Sequence, residues 1–332
     1  MNELANQKAV AAKTLLADFY QTRKPERTGV VQVFAGVQHY DVYNPSIPFF
    51  IDGMVVMAAR VEYRHDEVSR TMFFHQQGDQ WILIPGAPVL DLQDPFVTFI
   101  NNELWLGGVS VLWDGPRCIA YTTHFYHGKT LWSLEFAFAG PNMMKDIRLL
   151  QMSDGKIAVF TRPQGEGMLE KHGCIARIGF TIASTIDQVD AILINQAPLL
   201  EGQFMPDEWG GCNQLYNLKN GLIGVIGHLS RGEHMGGVHI IHYYSMSFAI
   251  DPATRLCTPV QIIADRNSFP SGPQKNERTA DVIFTSGLVR IDDGQAELYA
   301  GLSDCQVGRV VIVDPLLVYE EIIRQVSNKS QE

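Results

Sequence analysis

The chain of 332 residues has no surplus of positive charge: 26 Lys and Arg stand against 36 Asp and Glu, for a net charge of −10. Duplex nucleic acid needs a basic face, so no nucleic-acid partner is expected. A negative total still leaves room for an anionic small ligand held by a local cluster of arginines. Cysteine is scarce and odd in number, with Cys118, Cys174, Cys212, Cys257 and Cys305 scattered and no CxxC pair among them. Such a set reads as reduced thiols of a cytoplasmic protein. No apolar run approaches the roughly 18 residues of a membrane span. The opening residues, Met1-Asn-Glu-Leu-Ala-Asn-Gln-Lys8, lack the charged-then-apolar pattern of a secretory signal, so no membrane partner is expected. Walker, dinucleotide and GxSxG motifs are absent. No histidine pair has convincing ligand spacing; His239 and His242, three apart in a strand-like run, face opposite sides. No metal is expected.

What the chain does have is a repeat. Phe49-Phe-Ile-Asp52-Gly53-Met-Val-Val-Met57 is two apolar runs across Asp-Gly, a strong short-range hairpin signal. The plan returns around Asn101, Asp154, Asn220 and Asp293, a period of roughly 50 to 70 residues. Several strands per unit at a period of about 40 to 50 residues mark a β-propeller, and longer spacings fit long loops. The expected fold is therefore all-β, with five hairpin units and one domain over residues 29–332. Residues 1–28 form an N-terminal extension whose Leu4, Val10, Leu15, Leu16 and Phe19 recur at helical spacing over 3–22. Lys24-Pro25 to Gly29 ends it, and it leaves room for a homo-oligomer contact. A last helix is expected to run through Val326 from a cap at Asp314, with Pro315 in its first position. The polar, glycine-rich stretches 165–173, 228–237 and 265–279 read as loops.

Seven residues past the turn glycine stand Arg60, Arg162 and His228 in three copies. A strand of that length carries the chain about 20 Å from its turn, so strands around one axis would bring these side chains to one mouth. Solvent-facing strand-end charges are the plainer reading of each. Arg60, Arg162 and Lys145 suit phosphate or carboxylate, which guanidinium and ammonium donors bind well. Asp94 precedes a proline ahead of the second hairpin, Asp281 opens Asp-Val-Ile-Phe-Thr-Ser-Gly, and Asp304 closes the last copy. Paired carboxylates can divide acid and base duties in glycosyl chemistry, although an Asp-Pro alone also starts turns.

Taken in order from about residue 40 to 312, the motifs resemble those of glycoside hydrolase family 130, five-bladed β-mannoside phosphorylases. They resemble more closely a related group, the mannosyltransferase/phosphorylases of glycosyltransferase family 108, which build and degrade β-1,2-mannan. The residues that carry the likeness are Asn44, Asp52, Gly53, Arg60 and Glu62; Gln93-Asp94-Pro95-Phe96; Lys145-Asp146, Gly155-Lys156 and Arg162-Pro163; Gly227-His228-Leu229; and Phe284, Gly287, Tyr299 and Asp304. The resemblance implies a five-bladed β-propeller with a short N-terminal helix and a C-terminal helix. It implies that Asp94 gives a proton to the glycosidic oxygen, with relay through a sugar hydroxyl open in the family. Phosphate then attacks from the opposite face and inverts the anomeric centre. Asn44, Arg60, Arg162, His228 and Lys145 become the phosphate cradle. Asp304 becomes a mannose ligand, with Asp281 and Tyr243 as weaker ones. Inorganic phosphate is then a co-substrate with no other cofactor; mannose, mannose 1-phosphate and β-1,2-mannooligosaccharides are the substrates, and GDP-mannose is a further donor. Phe96 stands where the family has arginine and Thr161 where it has histidine, so the donor stays open. A β-mannosidase using water and a non-catalytic carbohydrate-binding propeller are the alternatives.

Overall fold

A strand reverses on itself without splaying when its two turn residues take left-handed backbone, and the repeat supplies residues that tolerate it. In the computed structural model, which describes residues 3–22, 29–291 and 293–323, Asp52 and Gly53 have φ of 51° and 76°, and Asn101 and Asn102 have 53° and 62°. All five expected hairpins form, each with antiparallel register across its turn.

The described residues open on α1 (Ala12–Thr22) and a short β1 (Val30–Val31). The strands then fall into five groups in chain order. The first holds β2 (Val33–Ala35), β3 (Asp41–Tyr43), β4 (Phe49–Ile51), β5 (Met54–Glu62), β6 (Arg70–Gln77) and β7 (Gln80–Leu83). The second holds β8 (Gln93–Ile100), β9 (Glu103–Asp114), β10 (Arg117–Gly128) and β11 (Glu135–Ala139). The third holds β12 (Arg148–Gln151), β13 (Ile157–Thr161) and β14 (Gly179–Ala183), with α2 (Glu166–His172) before β14 and α3 (Ala191–Asn195) after it. The fourth holds β15 (Glu208–Asn217), β16 (Ile223–Met235), β17 (Val238–Ile250) and β18 (Gln261–Ala264). The fifth holds β19 (Asp281–Arg290), β20 (Gln295–Leu302) and β21 (Gln306–Val313), followed by α4 (Leu317–Glu320). The last two groups join into one eight-stranded sheet through a two-residue parallel pairing, His242 with Asp281 and Tyr243 with Val282.

The packing explains why no group stands alone. Five buried clusters form the core, and each is shared by neighbouring groups. Val56 and Phe73 of the first meet Leu104 and Leu106 of the second. Phe125 meets Val159, Phe160 meets Phe248, and Ile226 meets Leu298. The fifth cluster joins last to first, Tyr299 and Val307 against Met57 and Trp81. β1 pairs with β21 at Val30 and Val31, so an early strand completes the last sheet. Each group thus buries an apolar face against a neighbour, and the last group packs on the first.

Several local expectations need correction. The N-terminal helix spans Ala12–Thr22, not 3–22, because tertiary bonds capture the preceding stretch. Ala5 pairs with Cys257, and Gln7 Nε2 donates to the Cys257 carbonyl at 2.7 Å. The expected ending at 24–29 lies, up to residue 28, outside the described residues. The last helix starts at Leu317 rather than at Pro315. Asp314 accepts from the Leu316 amide at 2.9 Å and from Arg290 Nε at 2.6 Å, and so anchors the preceding turn. Residues 324–326 of that expected helix lie outside the described residues. The stretch 165–173 contains helix α2, stopped by Gly173 at φ 61°. The stretch 228–237 is no loop: His228 to Met235 continues β16, and only Gly236-Gly237 turns. Polar and glycine-rich composition hid it, because cross-strand pairing with Val238 to Ser245 holds it extended.

Candidate active site

The five hairpins place equivalent residues at the inner ends of their strands. Seven residues past the turn, the return strands or their ends carry Arg60, Val109, Arg162, His228 and Gly301. Eight or nine residues before it, the outgoing segments carry Asn44, Asp94, Asp146, Asn213 and Ser286. The register slips there in three groups, between Gln93 and Phe96, Cys212 and Gln214, and Thr285 and Gly287. Asn44, Asp94 and Asp146 have left-handed backbone, φ 42°, 51° and 59°. Bulges and left-handed residues of this kind re-aim a side chain out of the pleat. The basic residues are not solvent-facing strand ends: Arg60, Arg162 and His228 are 7%, 2% and 1% exposed.

Two charged clusters result. In the first, Asn44 Nδ2 donates to Asp94 Oδ1 at 2.8 Å and Arg60 Nη1 donates to the same oxygen at 3.2 Å. Arg60 also grips Glu62 Oε2 through Nε at 3.1 Å and Nη2 at 2.8 Å, and Glu67 at 3.2 Å. Lys275 reaches in from the 265–279 stretch to Glu62 and to Glu67, the latter at 2.8 Å. Glu62 accepts from Tyr43 and Ser69 as well. Burial pushes the Glu62 carboxyl up, but Arg60, Lys275, Ser69 and Tyr43 together hold it below its ordinary value. Asp304, at φ 55°, shares this cluster. Burial, aided by the charge of Asp94 and opposed by Arg60, pushes its carboxyl up to about 6.

In the second cluster, Arg162 Nε lies 2.8 Å from Asp146 Oδ2, and His228 Nε2 lies 3.9 Å from the same oxygen. Burial works against the Asp146 charge, yet Arg162, His228, Arg148 and Lys145 hold its carboxyl well below the usual range. His228 Nδ1 is 2.7 Å from Asn213 Oδ1, and its ring stacks on Tyr243 at 5.3 Å. Burial drives its imidazole down to about 3 against the pull of Asp146, so it is neutral at pH 7. His228 therefore brings no positive charge, and its Nδ1–H is taken by Asn213 Oδ1.

A cavity of about 300 Å³ opens beside both clusters. Lys145, Arg162 and Tyr243 line it, together with Glu67 and Gln93 next to Asp94. Asp281 is engaged elsewhere, 2.5 Å from His242 Nδ1. Motif reading missed Asp146, Asn213, Glu67 and Lys275 as site residues. The first two occupy the same position in the repeat as Asn44 and Asp94, a signal within reach; Lys275 comes from a loop and carries none. Phe96 is a core residue: its ring lies where a Gly107 Cβ would come within 2.0 Å, and the Arg148 guanidinium sits 3.8 Å above it. An arginine thus returns to that neighbourhood from another strand. Thr161, 2% exposed, is likewise interior.

The family described as a protein of unknown function, DUF1861, matches over residues 19–317. The chain belongs to this family. Among solved structures it is similar to MPT-4, a mannose phosphorylase from Leishmania mexicana in complex with a phosphate ion. The two are 37% identical with a TM-score of 0.85, covering 94% of this chain and 96% of that one. MPT-1, a GDP-Man-dependent mannosyltransferase from the same organism, is 34% identical with a TM-score of 0.85, covering 94% and 97%. A β-1,2-mannobiose phosphorylase from Listeria innocua, 14% identical with a TM-score of 0.61 over 90% and 95%, shares the fold. No curated protein matches the chain. The likeness read from the motifs, to mannosyltransferase/phosphorylases, is met by these structures.

Proposed function

We propose that this chain is a mannoside phosphorylase and mannosyltransferase. It moves mannose reversibly between mannose 1-phosphate, or GDP-mannose, and a β-1,2-linked mannooligosaccharide, with inversion. The reading takes the five sheet groups as blades of one propeller that forms the catalytic domain of a cytoplasmic enzyme. The observation that carries it is one cavity with Lys145 and Arg162 in its wall and, also lining it, Glu67, which shares Arg60 with Asp94, in a chain 37% identical to a mannose phosphorylase.

In phosphorolysis, protonated Asp94 delivers its proton to the glycosidic oxygen, directly or through a sugar hydroxyl. A phosphate oxygen attacks C1 from the opposite face; the C1–O bond to the leaving sugar breaks as the C1–O bond to phosphate forms. In synthesis, the Asp94 carboxylate takes the proton of the acceptor hydroxyl and phosphate leaves. Lys145 and Arg162 hold the phosphate, and buried His228, bonded through Nδ1 to Asn213, backs that cradle beside Asp146. Asn44 and Arg60 act chiefly by holding Asp94. Asp304 binds hydroxyls of the transferred mannose, with Tyr243 beside it and Asp281 farther from the chemistry.

The test is product analysis by chromatography. The protein is incubated with mannose 1-phosphate and mannose, with GDP-mannose and mannose, and with β-1,2-mannooligosaccharides with and without phosphate. Chain extension with phosphate release, and mannose 1-phosphate in the reverse tube, are expected. Free mannose formed equally without phosphate would instead make it a hydrolase. No turnover in any tube would make it a binding module.

A further inference from the structure

Two hairpins overrun the ring of inner residues. β9 continues past Val109 to Asp114 and β16 past His228 to Met235, whereas β5 ends at Glu62 and β13 at Thr161. At about 3.3 Å per residue these extensions stand roughly 16 and 23 Å beyond the ring. On β9, Val109, Val111 and Trp113 share one face, and Trp113 pairs with Cys118 and Val111 with Tyr121 on β10. All five line the cavity. Trp209 of β15 and Tyr243 of β17 line it as well.

Four half-buried aromatic side chains therefore surround a space whose wall also carries Arg162 and Lys145. Three of their four polar handles are already bonded to protein. Trp209 Nε1 donates to Tyr243 Oη at 3.1 Å, and Gln164 Nε2 donates to Tyr121 Oη. The remaining ring surface in the cavity offers apolar area and no charge. A pyranose matches that surface, since one of its faces is largely C–H while hydroxyls project from its edge. Rigid aromatic faces bind such a surface with little loss of conformational freedom.

We propose that Trp113, Tyr121 and Trp209 form the acceptor subsite, where mannosyl units that do not react stack on the β9–β10 hairpin. The inference rests on the mannosyl-transfer reading and adds to it which wall takes the oligosaccharide. The overrunning hairpin then sets how many acceptor units the enzyme grips.

The test separates acceptor from donor. In the synthetic direction, Trp113→Ala raises the KM for β-1,2-mannotriose about ten-fold, with the KM for mannose 1-phosphate unchanged. Trp113→Phe restores most of the acceptor affinity. An unchanged acceptor KM, or an equal rise in both KM values, overturns the inference. A second readout needs no turnover. Cys118 is exposed and the other four cysteines are buried, so a maleimide labels it selectively. Saturating β-1,2-mannotriose slows that labelling several-fold if the subsite holds sugar; an unaltered rate overturns the assignment. Slowed labelling in a protein that turns over no mannosyl donor keeps the subsite and removes the transfer reading.

Discussion

Asn44 Nδ2 and Arg60 Nη1 both bond Asp94 Oδ1, at 2.8 and 3.2 Å, while no described residue bonds Asp94 Oδ2. One carboxylate oxygen is fixed by the protein and the other keeps its lone pairs for a further partner. Asp94 is thus oriented by two neighbours from the preceding sheet group. We predict that Asp94→Asn lowers kcat by about 10² to 10⁴, the range of a general acid, while mannooligosaccharide binding persists by calorimetry. Normal turnover in this variant would discard the proposed mechanism.

Lys145 and Arg60 should behave oppositely. Lys145 is half-buried in the cavity wall, and Lys145→Ala should raise the KM for phosphate about ten-fold or more with Tm unchanged. Arg60 is locked among Asp94, Glu62 and Glu67. Arg60→Ala leaves Glu62, 1% exposed, short of a partner, and should lose about 3 kcal/mol or more of stability. Kinetics and thermal melts on the two variants check this; a stable Arg60→Ala with a selective phosphate defect would return Arg60 to the anion cradle.

A Cβ on Gly301 would lie 1.8 Å from Asn44 Oδ1 and 2.7 Å from the Asn44 amide. Gly301→Ala must push Asn44 aside, and Asp94 loses its 2.8 Å bond. We expect kcat to fall about ten-fold with a stability loss of about 1–3 kcal/mol. Combining it with Asn44→Ala should add little further loss in kcat, because both act on one contact. Independent, multiplying losses in the double variant would sink that explanation.

Asp304 and His228 give opposing pH slopes. Asp304 is raised to about 6 in the folded chain, against about 3.9 unfolded. Its stabilising contribution is full below pH 4 and is lost as pH rises through about 6. His228 is lowered to about 3, against about 6.5 unfolded. Its contribution is full above pH 6.5 and is lost as pH falls toward 3. The slopes must be read by difference. Between pH 4 and 7, Asp304→Asn should gain stability relative to the unsubstituted chain in denaturant titrations, and His228→Gln should lose it. A difference flat with pH for Asp304→Asn would mean its carboxyl is not held up by burial.

The sequence alone determined the hairpins and their order. Asp52-Gly53 and Asn101-Asn102 take left-handed backbone readily, so the turns are written in residues next to each other. The same periodicity marked Arg60, Arg162 and His228, because residues at one offset in equivalent strands reach one end of their sheets; Asp94 was marked by the proline after it and by its motif. What each does there was decided by the ring. Arg60 and Arg162 share an offset, yet one meets Asp94 of the following group and the other Asp146 of its own. His228 looked cationic, and burial against Tyr243 and Phe284 leaves it neutral. Lys275 enters from a loop more than two hundred residues from Glu62. Local sequence carries turn and strand chemistry; charge pairing and desolvation belong to neighbours that only closure of the sheets brings together.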